Sequence, residues 1–361
     1  MVPLLLLQLV AGAQLPEYHV RLLSDQQGLN TADILDLAKD KQGFLWLLSQ
    51  SSVQRYDGRQ ASPFLFNETI RKIFVDKKDR KWVLSNSAVY LFKNDYEGFK
   101  QIKIHKDPAA GNIQLFDSKD GLYLVMTNGF LLLDETKQVF MPATTSFRFS
   151  GRMLPGIFGK ADPFIFLASS DSIYRFDLAN KRQSAFPFKS IAYLLALNSN
   201  ELLVSDWNSR SFHISFPDKT IKEIVPAQIR NAPQNDFTRF FGAVQLQEDR
   251  FFLSSNTGVV EFDRRTHQFH QPVMYNRGRL LNDNPSIKTF YKDDEGNVFM
   301  THADGLAFFN SLSPGINFIR DYTSGPGTIP DIDIRCFAED KNGNTWLGTV
   351  NGIARLNMQT G

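Results

Sequence analysis

The chain has 361 residues, 42% hydrophobic and 22% charged, which is enough apolar material for a sizeable core and too much for a disordered chain. Its 40 Lys and Arg stand against 38 Asp and Glu, a net charge of +2 with no basic cluster, and this argues against a dedicated nucleic-acid binder. A single cysteine, Cys336, excludes a disulfide framework and a thiolate metal cluster.

The first predicted element is a leader. Pro3 to Val10 reads PLLLLQLV, followed by Ala11-Gly12-Ala13 and then by polar sequence. A short apolar run ending in an A-x-A-like site is the pattern of a secretory signal peptide, here cut after Ala13. The competing possibility is a buried N-terminal strand, because no Lys or Arg precedes the run. No stretch is long enough to span a bilayer as a helix. Tyr18 to Leu23 (YHVRLL) comes next, an orphan strand before the first repeat unit that could close the fold by joining the last unit.

From Ile34 onward the chain repeats. Ile34 to Asp57 reads ILDLAKDKQGFLWLLSQSSVQRYD, Ile70 to Lys93 reads IRKIFVDKKDRKWVLSNSAVYLFK, and Ile287 to Asn310 reads IKTFYKDDEGNVFMTHADGLAFFN. The clearest copy is Ile334 to Asn357, IRCFAEDKNGNTWLGTVNGIARLN, and four weaker copies lie in the middle. Their alignment places one large apolar residue at an equivalent position: Trp46, Trp82, Leu124, Phe166, Leu203, Phe252, Phe299 and Trp346, spaced 36 to 49 residues apart. Three positions later a hydroxyl recurs at Ser49, Ser85, Thr127, Ser169, Ser255 and Thr349, while Asp206 and His302 break the pattern.

Each unit reads as three strands, A, B and C, with a looser fourth segment before the next unit. Asp/Asn-Gly turns between apolar runs are hairpin signals, because Gly and Asn tolerate the positive φ that such turns need. The aromatic share of 13%, with 32 Phe, fits strands. Four short strands every 40 to 50 residues are the signature of a β-propeller blade. The recurring Trp or Phe is then a structural wedge between blades. The expected fold is all-β: four-stranded antiparallel blades, seven of them over residues 14–315 after a 1–13 signal peptide. Residues 316–361 then open a second propeller, with Asn317 to Tyr322 in the place that Tyr18 to Leu23 holds in the first. The alternative is one eight-bladed ring.

Acidic turns such as Asp76 to Asp79, Asp293 to Gly296 and Asp340 to Gly343 serve the A–B turn through their own backbone; they lack the spaced carboxylates of a calcium loop. Six His show no H-E-x-x-H, no G-x-S-x-G occurs, and no catalytic residue is assigned. His267 and His270 lack an evident third metal ligand. No metal and no cofactor is expected. The anomaly is Asp206-Trp207-Asn208-Ser209-Arg210, in a B–C turn where other units carry Asn-Gly or Thr-Gly. An exposed Trp face with Asn208 and Arg210 beside it suits a sugar: the ring stacks on C–H surface and the polar groups bond hydroxyls. Arg239 and His302 are expected on the same face. A packing or interface role for Trp207 is the competing assignment.

The pattern in Ile334 to Asn357 resembles the two-component regulator propeller repeat. The segment Leu23 to Gly58, with D-Q-Q-G-L-N, D-K-Q-G-F-L-W and R-Y-D-G, resembles the start of the same proteins. These are the periplasmic sensor regions of hybrid two-component system histidine kinases of Bacteroidetes. The resemblance implies a periplasmic, non-catalytic sensor that answers to oligosaccharides from glycan breakdown and controls polysaccharide-utilisation genes. It also implies a homodimer through the full-length receptor, with the membrane helix and kinase in a part beyond Gly361. Two other functions stay open: a scaffold propeller without its own ligand, and a secreted propeller lyase or glycosidase.

Overall fold

The strands alternate buried and exposed positions at the edges and are buried on both faces in the middle, as sheets must be when they are stacked face to face. The computed structural model describes residues 17–24, 28–30, 34–105, 113–127, 129–143, 147, 152–161, 163–178, 180–224, 240–256, 258–276, 279–280, 287, 289–302, 305–312, 333–341, 344–350 and 352–357. Every regular element among them is a β-strand, and none of them forms a helix long and apolar enough to cross a membrane. The chain divides into two compact units, Met1–Leu312 and Ser313–Gly361. The leader read at residues 1–13 and the segment Asn317 to Tyr322 lie outside the described residues.

In the first unit, four-stranded antiparallel meanders follow one another along the chain. Blade 1 comprises Asp36–Lys39, Leu45–Leu48, Ser52–Tyr56 and Ala61–Leu65, here strands A to D. Blade 2 comprises Ile70–Val75, Lys81–Ser85, Val89–Asn94 and Gly98–Ile104. Blade 3 (Gln114–Ser118, Gly121–Met126, Gly129–Asp134, Val139–Pro142) joins blade 2 through its outer strand: Lys103 and Ile104 pair in parallel with Val139 and Phe140. Blade 4 is Met153–Ala161, Phe164–Ser169, Ser172–Asp177 and Arg182–Pro187; blade 5 is Ile191–Ala196, Glu201–Asp206, Ser211–Ser215 and Thr220–Ile224. Blade 6 is Phe240–Gln247, Arg250–Ser255, Gly258–Asp263 and Gln268–His270.

Blade 7 is completed by the other end of the chain. Its strands A to C are Phe290–Lys292, Asn297–His302 and Gly305–Asn310, and its fourth strand is Arg21–Leu23, antiparallel to Gly305–Asn310. Gly305 permits this, since its φ is +139° and a Cβ there would collide with the Leu23 carbonyl. The run Tyr18 to Leu23, read from sequence as one strand, is two. Glu17–His19 pairs in parallel with Val273–Asn276, and the chain changes sheets at Val20, whose amide donates to Tyr275 O at 2.8 Å.

The core lies between blades. Of the seven buried clusters among the described residues, each joins one successive pair of blades, such as Trp46 and Val53 with Ile70 and Val83 between blades 1 and 2. The cluster of Leu37, Leu45 and Leu47 with Phe299 and Leu306 joins blade 7 to blade 1. Polar contacts close the same junction: Lys39 Nζ lies 2.8 Å from Asp293 Oδ2, and Tyr291 Oη donates to Lys39 O at 3.3 Å. The wedge residues from Trp46 to Phe299 are all buried. Burial removes about 25 cal/mol of apolar exposure cost per Å², and the large flat side chain fills the space that widens between twisted sheets.

The acidic A–B turns hold these wedges in place. Asp40 Oδ1 accepts from the amides of Gln42 and Phe44 at 3.0 Å each, and its Oδ2 accepts from the Trp46 indole Nε1 at 2.9 Å. Asp76 repeats this with Lys78 N, Arg80 N and Trp82 Nε1, each at 2.9 Å. In blade 7, where Phe299 offers no donor, Asn297 Nδ2 takes the place of the indole at 2.9 Å from Asp293 Oδ2. A buried indole N–H needs an acceptor, and the turn carboxylate six residues earlier supplies it.

The second unit contains one three-stranded meander among its described residues, Ile334–Glu339, Asn344–Thr349 and Gly352–Asn357. The same clamp is present, with Trp346 Nε1 3.0 Å from Asp340 Oδ2. Here, however, Trp346 is 39% exposed, and Phe337 and Ile353 more so.

Candidate functional site

The B–C turns and the links between blades share one face. Ile70 N donates to Gln50 O and Phe66 N to Ser51 O, each at 2.9 Å, so the link after blade 1 runs over its own B–C turn. In blade 5, Trp207 N donates to Ser190 O in the link before it, at 2.9 Å.

The recurring hydroxyl closes that turn. Ser169 Oγ donates to Ser172 O at 3.1 Å, Ser255 Oγ to Gly258 O at 2.8 Å, and Thr349 Oγ1 to Gly352 O at 3.1 Å. Asp206 does a different job at the same position. Its buried carboxylate accepts from the amides of Asn208 and Arg210 at 2.9 Å each, and its Oδ2 meets Arg210 Nε at 2.8 Å and Nη2 at 2.7 Å. This is the geometry of the Asp76–Arg80 turn, transplanted to the other face. Ser209 takes the left-handed φ of 62° that the turn requires, a conformation that costs a non-glycine residue free energy.

That local device lifts Trp207 out of the sheet: it is 59% exposed. Asn208 beside it is exposed. Arg210 spends two donors on Asp206 and lies over the Phe212 ring, 5.4 Å from its centroid, so it buttresses the turn while keeping its remaining N–H groups outward. His302 ends strand B of blade 7, opposite Gly305, at the position where other blades carry the hydroxyl; it is half-buried. Arg239 lies outside the described residues.

One residue on this face escaped the sequence reading. Phe241, at the start of the innermost strand of blade 6, is 57% exposed, whereas Phe240 beside it is buried. Phe240 pairs with Ser255 at the end of strand B, which puts Phe241 at the B–C turn end of its blade, the same face as Trp207 of the neighbouring blade. Sequence alone does not mark it: consecutive phenylalanines point to opposite faces of a strand, but Phe251 and Phe252 in the next strand are both buried.

Titratable groups also cluster between blades 5 and 6. The His213 and His267 rings lie 4.5 Å apart, with Glu201 Oε1 3.5 Å from His213 Nε2 and Lys222 Nζ 3.4 Å from His267 Nδ1. Burial, then His267, lowers the His213 pKa; burial, then Lys222, lowers that of His267. Glu201, despite partial burial, is held below its usual range by hydrogen bonds from Arg264 and Asn198. No group of three His, Cys, Asp or Glu among the described residues is arranged to hold a metal ion.

Comparison with known proteins shows a shared repeat and a shared fold. Residues 328–351 match the family model of the two component regulator propeller, so the chain carries that repeat. Its fold is shared with the extracellular domains of two hybrid two component systems of B. thetaiotaomicron. With BT3049 it has a TM-score of 0.60 at 15% identity, covering 95% of this chain and 54% of that one. With BT4673 the TM-score is 0.60 at 16% identity, covering 81% and 42%. A virginiamycin B lyase from Staphylococcus aureus has a TM-score of 0.56 at 10% identity, over 80% of this chain and 98% of that one. The chain thus spans about half the length of the extracellular domains it resembles. No curated protein sequence matches it. The fold is an all-β propeller, in agreement with the sequence reading.

Proposed function

We propose that this chain is the ligand-sensing propeller region of a hybrid two-component sensor histidine kinase, exported to the periplasm after cleavage behind Ala13. In this reading it answers to oligosaccharides from glycan breakdown, and through the parent receptor's kinase it regulates genes for polysaccharide use. The repeat at 328–351 and the shared fold support the sensor class. The completion of blade 7 by Arg21–Leu23 favours seven blades over residues 14–315, with residues 316–361 opening a second propeller, over a single eight-bladed ring. The membrane anchor and the homodimer belong to the full-length receptor.

The observation that carries the ligand assignment is the pair of exposed aromatics, Trp207 and Phe241, on the link face of adjacent blades. Exposed rings with hydrogen-bonding side chains beside them suit a sugar, whose C–H surface stacks while its hydroxyls are bonded. Asn208 and Arg210 supply those groups, and His302 and Arg239 extend them. The testing experiment is calorimetric titration of the chain with a panel of oligosaccharides, repeated with Trp207→Ala. Binding that the substitution weakens supports the reading. Self-association without affinity for any glycan would instead identify a scaffold, and turnover of a polysaccharide would identify an enzyme.

A further inference from the structure

Carboxylates are unevenly shared between the two faces of the first unit. The A–B and C–D turns are built on acidic caps, among them Asp40, Asp57, Asp76, Asp134 and Asp293, whose oxygens accept turn amides. The B–C turns close on hydroxyls instead, so the link face lacks that acidic rim. Its own acids, among the described residues, are withdrawn. Asp36 is buried and accepts from Ile73 N at 3.0 Å, with Lys72 Nζ 3.5 Å away, and Asp206 is buried on Arg210. Glu68 accepts from the Tyr90 hydroxyl, and Asp171 from Ser169 Oγ at 2.8 Å. Glu223 is exposed, but it lies out on the outer strand of blade 5.

Cations on the same face are free. Arg152 O accepts from Ser170 N at 3.0 Å, and Arg152 N donates to Ser170 Oγ at 3.2 Å, which fixes this residue beside the B–C turn of blade 4. Lys189 precedes Ser190, whose carbonyl receives the Trp207 amide. Arg71 follows Ile70, which holds the equivalent place at the entry to blade 2. All three side chains are exposed, and none has a carboxylate partner among the described residues. Arg210 adds the N–H groups that it does not spend on Asp206. These cations are far apart in the chain, so the sequence shows no basic run; the fold gathers them.

We propose that the ligand of the link face is an acidic oligosaccharide, with one sugar ring on Trp207 and its anionic groups on Lys189, Arg152 and Arg210. The inference rests on the sugar-binding reading above and narrows its substrate class. An anion approaching this face meets unpaired cations and buried or bonded carboxylates, so attraction is not offset by exposed like charge at the turns. A planar guanidinium matches the paired oxygens of a carboxylate or a sulfate, and the lysine adds a point charge. Both anions share this chemistry: a uronate residue and a sulfated sugar.

The test is calorimetric titration at low salt with an oligogalacturonate, a sulfated galactan oligosaccharide and its neutral galactan counterpart. It is run on the chain and on Trp207→Ala, Arg152→Gln, Lys189→Glu and Lys119→Glu, the last a charge reversal in an A–B turn on the opposite face. Arg152, Lys189 and Lys119 are exposed, so these variants keep the fold, which an unchanged melting temperature checks. The expected result is that an acidic probe binds more tightly than the neutral one. Lys189→Glu and added salt each weaken it about tenfold, Arg152→Gln and Trp207→Ala also weaken it, and Lys119→Glu does not. Tighter binding of the uronate assigns the carboxylate, and the reverse order assigns the sulfate. Neutral galactan bound as tightly as the acidic probes, and weakened by Trp207→Ala, overturns this inference while the sugar-binding reading stands. Equal losses from Lys189→Glu and Lys119→Glu also overturn it, as a charge effect of the whole protein. No binding of any of the three overturns both.

Discussion

The Tyr18 hydroxyl donates to Glu261 Oε2 at 3.0 Å across 243 residues of sequence. Arg250 joins the pair, with Nη2 2.8 Å from the Tyr18 oxygen and Nε on Glu261. The Tyr18 ring stands edge-on to Phe252 and Phe309 at 4.8 and 5.1 Å, one from blade 6 and one from blade 7. A strand of three residues could not hold the N-terminus down by its ladder alone; this side chain pins it to two blades. Burial, then the Glu261 charge, drives the phenol pKa far upward, so the hydroxyl is protonated and available as a donor at neutral pH.

Tyr18→Phe keeps the ring contacts and removes the donor. The expected cost is about 2 kcal/mol, the scale of a part-buried hydrogen bond to a charged group, read as a lower denaturation midpoint in urea. Deleting residues 17–23 removes the fourth strand of blade 7 as well and costs more.

The Asp–Trp clamp is expected to matter in proportion to burial. Asp40→Ala leaves two turn amides and a buried indole N–H without their acceptor, a loss of about 3 kcal/mol. Trp46→Ala adds a cavity between blades 1 and 2 and costs about 3–5 kcal/mol. Trp346→Ala, on the half-exposed copy of the same motif, should cost clearly less in this chain. Chemical denaturation of the three variants checks the order.

Acid is expected to loosen blades 5 and 6. Both His213 and His267 titrate below their ordinary value in the folded protein, so the unfolded chain takes up protons first as the pH falls. Their contribution is therefore present above the unfolded His pKa and is lost as the pH drops through the folded one. The surrounding charges, Lys222 and Arg264 against Glu201, Asp249 and Asp263, keep the direction: neutral imidazoles 4.5 Å apart are compatible, and two cations there are not. Unfolding free energy measured from pH 8 to pH 5 should fall toward acid, and His213→Gln should flatten the curve.

Trp207→Ala is expected to leave stability within about 0.5 kcal/mol, as for an exposed side chain away from packing, while weakening oligosaccharide binding. Arg210→Ala should weaken binding too, but together with a loss of stability. It strips Asp206, a buried carboxylate, of its guanidinium partner, and so destabilises blade 5 by about 2 kcal/mol. Paired thermal melts and titrations separate the two residues.

The inner half of each blade was legible in the sequence because its constraints are local and periodic. Trp46, Trp82 and Phe166 mark strands buried on both faces, and the turn Asp six residues before each Trp marks the turn that precedes it. The outer strands carried little signal: Arg182–Pro187 is almost wholly exposed, so no apolar pattern distinguishes it from a loop. Long-range pairing was legible only in outline: YHVRLL read as an orphan fourth strand placed to complete the last blade, and its second half does so. Nothing in it announces that its first half joins Val273–Asn276 in parallel. Of the candidate site, Trp207 stood out as the tryptophan off the repeat, and the turn does expose it. The commitment of Arg210 to Asp206 and the exposure of Phe241 depend on rotamers and register, which composition does not record.

The parallel pairing of Lys103–Ile104 with Val139–Phe140, extended by His105 N to Phe140 O at 2.9 Å, has a mechanical consequence. The seam between blades 6 and 7 carries a like ladder, Glu17–His19 in parallel with Val273–Asn276, while blades 2 and 3 are stitched directly, outer strand to outer strand, by backbone hydrogen bonds. These two sheets should exchange their amide hydrogens together, as one cooperative unit. Any breathing of the ring is then shifted to the seams that meet through side chains alone, which gives an otherwise repetitive wheel two stiff seams and softer stretches between them.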